Sequence, residues 1–208
     1  MANQDQPFGL RPLRHANGRP YNGASTKYAI PALYGTALYV GDAVVKVATA
    51  NTTVIETGTE IHQIGTLMEV NVATAGDDNP IVGVIVGFES ISTDLESLYS
   101  PATEAGVALV ADNPDLIFEI QADGIYGAAS VGLNAVLIYT HSGDTATGIS
   151  GAELDTSSES PAADAPFQLL TTGISKDPNN NDGASANTNL EVMISRHQNR
   201  PIDGILGV

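Results

Sequence analysis

The chain has 208 residues, 42% of them hydrophobic, and a formal net charge of −16. That length suits one ordinary domain with room for a real core, and so acidic a body repels nucleic-acid phosphates and anionic membrane surfaces. The absence of cysteine excludes disulfides, thiolate metal sites and thiol nucleophiles.

The charge is unevenly placed. Residues 1–30 carry Arg11, Arg14, Arg19 and Lys27 against Asp5 alone, a net +3, which leaves −19 for residues 31–208. In residues 1–30 Pro7, Pro12, Pro20, Gly9, Gly18 and Gly23 interrupt every helical or strand period. The expectation is an extended N-terminal arm over 1–30, able to reach roughly 100 Å, on a β-rich body over 31–208. No apolar h-region or cleavage site marks a signal peptide, and no run of about 18 apolar residues marks a membrane helix. The chain is therefore expected to be made and kept inside a cell.

Short strand candidates follow, separated by turn chemistry. They are Ala37–Val40, Ala43–Thr49, Thr53–Glu56, Ile64–Val72 and the very apolar Ile81–Phe88. The stretch Val107–Gly124 places two apolar runs around Asp112-Asn113-Pro114-Asp115 and predicts a β-hairpin. In its second strand Leu116, Phe118 and Ile120 share one face and Glu119 and Gln121 the other, with Ile117 implying partial cover on the second face. Ile125–Asn134 is the one place for a short helix. Ala135–Thr140, Ala152–Leu154, Phe167–Thr171 and Leu190–Ser195 complete the strands, and 176–188 reads as a long polar loop. Strands at this spacing predict an all-β barrel or sandwich with at most one short helix.

Catalytic and metal motifs are missing. There is no phosphate-binding loop, and Gly148-Ile149-Ser150-Gly151 has the wrong spacing for a nucleophile elbow. His15, His62, His141 and His197 do not share metal-ligand spacing, so each is expected as a surface or internally satisfied histidine. Asp177, Asn179 and Asn181 fit the first positions of a calcium loop, but Asp182 and Thr188 stand where that motif needs Gly and Glu. A solvated loop is expected there, and turn roles are expected for Asp112, Asp115 and Asp123. Asn51-Thr52-Thr53 matches a glycosylation sequon by chance. No enzyme activity, metal or cofactor is expected.

The basic arm is the functional candidate. In one reading Arg11, Arg14, Arg19 and Lys27 pair with carboxylates of a partner while Phe8, Leu10, Tyr21 and Tyr28 act as apolar anchors. In the other, the arm packs across its own acidic body and closes an open sheet edge. Exchange of arms in an oligomer satisfies both.

Several fragments, in order along the chain, resemble the capsid decoration (cement) proteins of tailed bacteriophages. They are Pro7-Phe8-Gly9-Leu10-Arg11-Pro12 with His15, Gly41-Asp42 before a Val-rich strand, Phe118-Glu119-Ile120-Gln121, and Val131-Gly132-Leu133-Asn134. Gly151-Ala152-Glu153-Leu154-Asp155 and Ile194-Ser195-Arg196-His197-Gln198 continue the series. The resemblance implies a non-enzymatic virion protein, made in the host cytoplasm and bound to the capsid exterior. It implies the major capsid protein as partner, contacts between capsid subunits as the thing stabilised, and self-association as a homotrimer or homodimer. On that reading, deleting residues 1–30 abolishes capsid binding and leaves the β-body folded. A different class of function also fits: a β-sandwich module showing loops such as 176–188 to a host glycan or receptor. A β-barrel hydrolase with a site assembled from distant residues is a third.

Overall fold

The computed structural model describes residues 3–58, 60–90, 96–140, 142–164 and 166–200. The protein is all-β, as its strand periods predict, and its strands form a closed barrel with its own interior and an antiparallel sheet that packs against the barrel's outer side.

The barrel is built from β2 (Thr26–Ile30), β3 (Ala43–Ala50), β6 (Met68–Val72), β7 (Gly83–Phe88) and β8 (Gly106–Ala111), in the order β2-β6-β3-β7-β8. Between β3 and β6 the chain makes the two-residue strands β4 (Ile55–Glu56) and β5 (Ile61–His62), paired with each other. Period-two alternation sends Tyr28, Ile30, Val44, Val70, Ile85, Ala108 and Val110 inward, where they fill the barrel. Closure leaves no free barrel edge.

The sheet runs β1-β9-β14-β13-β10, from β1 (Arg11–His15), β9 (Leu116–Gln121), β10 (Asn134–Ala135), β13 (Leu169–Ile174) and β14 (Asn189–Ile194). Its inner face, Leu116, Phe118, Ile120, Leu169, Leu190, Val192 and Ile194, packs in one continuous cluster with Ala43, Val84 and Ala111 from the barrel and with Ile81 just before β7. Leu137 of β11 (Leu137–Ile138) and Leu154 of β12 (Glu153–Leu154) join the same cluster. Gln168 is fully buried at this junction, and its side-chain amide makes four hydrogen bonds. It donates to the carbonyls of Thr74 (2.8 Å) and Asn79 (3.0 Å), and accepts from the N–H groups of Gly76 (3.2 Å) and Leu137 (3.1 Å).

The hairpin expected at Val107–Gly124 is corrected by this topology. Both strands form, but β8 pairs with β2 and β7, whereas β9 pairs with β1 and β14. The turn at Asp112–Asp115 is the corner where the chain leaves the barrel and enters the sheet. It is kept tight by Asn113, whose side-chain oxygen accepts the Asp115 N–H at 2.9 Å. Alternation specifies a strand and its buried face; it does not specify the neighbour.

The expected boundary after residue 30 does not divide the chain. Residues 26–30 are a barrel strand, with Tyr28, Ala29 and Ile30 all buried, and residues 11–15 form the edge of the sheet on β9. This is the arrangement in which the N-terminal segment covers its own body. Shorter differences have local causes. Ala37–Val40 makes only the isolated bridges Leu38↔Ser100 and Val40↔Ile149. The strand expected from Ile64 starts at Met68, because Asn51 holds the preceding loop by bonds to the Gln63 carbonyl (2.9 Å) and the Leu67 N–H (3.0 Å). Ile125–Asn134 contributes one 3-10 turn, Ala128–Ser130.

His197 is wholly buried, and its Nδ1 accepts the Asn199 N–H at 3.0 Å. Burial first, then the nearby Arg200 charge, lowers its pKa to about 4. Between about pH 6.5 and 4 the unfolded chain takes up a proton there that the folded chain refuses, so stability is lost as the pH is lowered through that window. The loss below it is about 3 kcal/mol. Urea midpoints of the wild type and His197→Gln, compared from pH 7 to 4, should show a shallower decline in the variant. Asp42, whose carboxyl is raised by burial, acts in the opposite sense in both proteins.

Candidate functional site: the N-terminal strap and its groove

Residues 3–10 form a strap across the outer face of β9, held by side-chain amides. The Asn3 amide donates to the carbonyls of Asp182 (3.0 Å) and Ala186 (2.9 Å). The Gln4 N–H donates to Asn180 Oδ1 (3.1 Å), and the Gln6 N–H to Gln121 Oε1 (2.9 Å). Gln121 Nε2 returns a bond to the Gln4 carbonyl at 3.0 Å. The strap thus covers the face of β9 that carries Glu119 and Gln121, and both of those polar residues are buried.

The loop 176–188 is correspondingly not merely solvated. Asn180 and Thr188 are buried and help receive the strap. Asp177 and Asp182 take turn roles, accepting the N–H groups of Asn179 and Ala184, each at 3.0 Å. Asp123 likewise accepts the Thr156 N–H at 2.8 Å.

After the strap, Gly9 (φ +69°) crosses Gly41 (φ +99°) in direct backbone contact. The Leu10 N–H donates to the Gly41 carbonyl at 2.8 Å, which drives the Leu10 side chain into the core. The two glycine motifs therefore meet in space. Beside the crossing lies an apolar groove of about 310 Å³, whose lining includes Phe8, Leu10, Tyr21, Val40, Val86 and Ile149. Arg11 borders it, with its guanidinium 4.8 Å from the centre of the Phe8 ring. A second, more polar depression of about 390 Å³ shares Phe8, Arg11 and Ile149 with the first, so these three side chains form the ridge between them.

Phe8, Leu10, Arg11 and Tyr21 are thus brought together, and the other four candidates are not. Tyr28 is inside the barrel, its hydroxyl donating to Asp112 at 2.9 Å. Arg14 pairs with Glu191, and Arg11 itself pairs with Glu119. Lys27 lies 2.6 Å from a carboxylate oxygen of both Glu60 and Glu89. The carboxylates that these cations meet belong to their own chain, because strand pairing sets Arg11 opposite Glu119 and places β2 beside the barrel's acidic rim. Arg19, exposed on the turn after β1, makes no ion pair among the described residues.

Val40, Val86 and Ile149 were not singled out from sequence. Their only signal was an apolar residue beside glycine, and for Ile149 an exposure of 42% is a tertiary fact.

Around Lys27 the structure gathers Glu60, His62 and Glu89, whose ligand-type atoms lie within 4.8 Å of one another. His62 Nε2 meets Glu89 at 2.8 Å. The Lys27 ammonium is the cation of this cluster, which ties β2 to β5 and to Glu89 just beyond β7. Hydrogen bonds from Lys27 and His62 outweigh burial and hold the Glu89 carboxyl below its usual range. His62 is therefore an internally partnered histidine, whereas His197 is partnered through Nδ1 alone, its buried Nε2 having no hydrogen-bond partner; His141 lies outside the described residues. Ser150, in the glycine-flanked stretch, is buried and donates its hydroxyl to Asp42 at 2.6 Å.

Among the described residues no helix is long and apolar enough to cross a membrane. No family model matches the sequence, and no curated protein or solved structure is significantly similar to it.

Proposed function

We propose that the protein is a structural component of a phage virion that binds the outer surface of an icosahedral capsid and stabilises contacts between major capsid protein subunits. The observation that carries this reading is the strap-lined groove: an apolar recess, ordered before any partner arrives, on an otherwise strongly acidic chain. Anchor residues from a partner can fill such a recess at little ordering cost. Anything that binds the assembled shell and not its separated subunits stabilises the shell by mass action, and an acidic outer surface keeps particles apart. Self-association as a homotrimer belongs to the same proposal and is read directly by sedimentation equilibrium.

The test is co-sedimentation with empty, expanded heads lacking this protein, comparing the wild type with Ile149→Asp. Ile149 is partly exposed, so the substitution places a charge in the groove while the fold is retained. Saturable binding by the wild type and at least about tenfold weaker binding by the variant is the expected result. Equal binding by both removes the groove from the interface. No binding by either removes the capsid reading, and a glycan array becomes the next assay.

A further inference from the structure

A further open cavity, of about 700 Å³, adjoins the polar depression through Ser142 and Gly151, and its wall includes Ala37, Val72, Ala73 and Ala75, with Asp42 and Tyr139. Those last two groups are unusual. Asp42 is buried; its Oδ1 accepts the Ser150 hydroxyl at 2.6 Å and its Oδ2 accepts the Tyr39 N–H at 2.8 Å. Each oxygen keeps a free lone pair, and among the described residues no cation pairs with Asp42. The hydroxyl of Tyr139 is buried without any hydrogen-bond partner.

A buried carboxylate without a counter-ion beside an orphaned hydroxyl is costly to the fold. Burial raises the pKa of both groups, and the Asp42 charge adds to the rise at Tyr139. Groups of this kind in the wall of a cavity are candidates for ligand contact.

We propose that this cavity binds an alkyl chain ending in a cation, an ammonium or guanidinium group. The cation supplies the charge that Asp42 lacks, and its N–H groups donate to the free lone pairs of Asp42 and to the Tyr139 oxygen. The alanine and valine wall accepts the methylenes. A neutral alcohol of the same length leaves the carboxylate uncompensated and is discriminated against. The net charge of −16 concentrates cations near the cavity mouth. Two sources carry this chemistry: a lysine or arginine side chain of a partner protein, and a free aliphatic diamine. The inference does not depend on the capsid reading, since its probes are small molecules.

The experiment is an amide-resolved NMR titration of the whole chain with N-acetyl-lysine N′-methylamide, 1,5-diaminopentane and pentan-1-ol. Saturable shifts at Val72–Ala75 with millimolar affinity for the amines, and about tenfold weaker binding of the alcohol, are expected. A capped lysine that binds as well as the diamine points to a partner's side chain; a diamine about tenfold tighter points to a free ligand. Tyr139→Phe removes a hydroxyl that bonds nothing in the free protein. Its thermal midpoint should therefore be unchanged or higher while amine binding weakens several-fold, a split that a purely structural tyrosine does not produce. Asp42→Asn should abolish discrimination between amine and alcohol. Equal affinity for amine and alcohol in the wild type, or undiminished amine binding by Tyr139→Phe, overturns the proposal.

Discussion

Deleting residues 1–30 is expected to abolish folding, not merely partner binding. The deletion removes β2 from the closed barrel, where it bridges β6 and β8, and β1 from the edge of β9. Leu10, Tyr28 and Ile30 leave the cores they fill. Burial of each large side chain is worth about 1.5–3 kcal/mol, and the barrel's lost strand pairing adds to this, against a total stability of about 5–15 kcal/mol. The measurement is thermal unfolding followed by near- and far-ultraviolet circular dichroism. The truncated chain should show no cooperative transition, whereas a deletion of residues 1–6 alone, which cuts only strap contacts, should melt cooperatively at a modestly lower midpoint. A cooperative melt of the longer deletion near the wild-type midpoint would contradict the placement of β2. The practical consequence is that the partner-binding role of this region has to be tested by point substitution.

Gly9→Ala is expected to destabilise by about 2–5 kcal/mol. A Cβ at that position falls 2.7 Å from the Gly41 carbonyl carbon and 2.7 Å from Ser150 Cβ, at φ +69°. The left-handed backbone alone costs a non-glycine residue about 1–2 kcal/mol, and forcing atoms into a packed crossing adds about 1–3 kcal/mol. Gly18→Ala separates the two effects. It shares the left-handed conformation (φ +86°), but nothing lies within 4 Å of its Cβ, so only the backbone cost should appear. Urea midpoints of the two variants give the comparison, and equal losses would mean that the Gly9–Gly41 approach is not close enough to matter. Because the strap reaches its place through this crossing, Gly9→Ala should also weaken head binding in the co-sedimentation assay.

Part of the site was legible beforehand. Phe8, Leu10, Arg11 and Tyr21 stand out as apolar or cationic residues in a proline- and glycine-broken segment, and they do meet at one groove. The glycines beside them, Gly9 and Gly41, were visible as motifs, but nothing in their spacing says that they touch. The destination of the cations was less legible still. Arg11, Arg14 and Lys27 looked available to a partner because sequence separation hides Glu119, Glu191, Glu60 and Glu89, which the fold brings to within ion-pair distance. The cavity at Asp42 and Tyr139 left no sequence signal, because an orphaned hydroxyl is defined by what fails to surround it.

By itself the sequence determined the all-β class, most strand positions, the buried face of β9 and the tight turn at Asn113-Pro114. Each of these is local: side-chain alternation and the backbone limits of proline, asparagine and glycine act over a few residues. Only the tertiary structure decided that the two strands flanking that turn part company, that residues 26–30 close a barrel, and that the strap crosses β9. Those outcomes depend on which apolar face meets which over long sequence separations, a competition settled by burial across the whole core and not by any one segment's propensity.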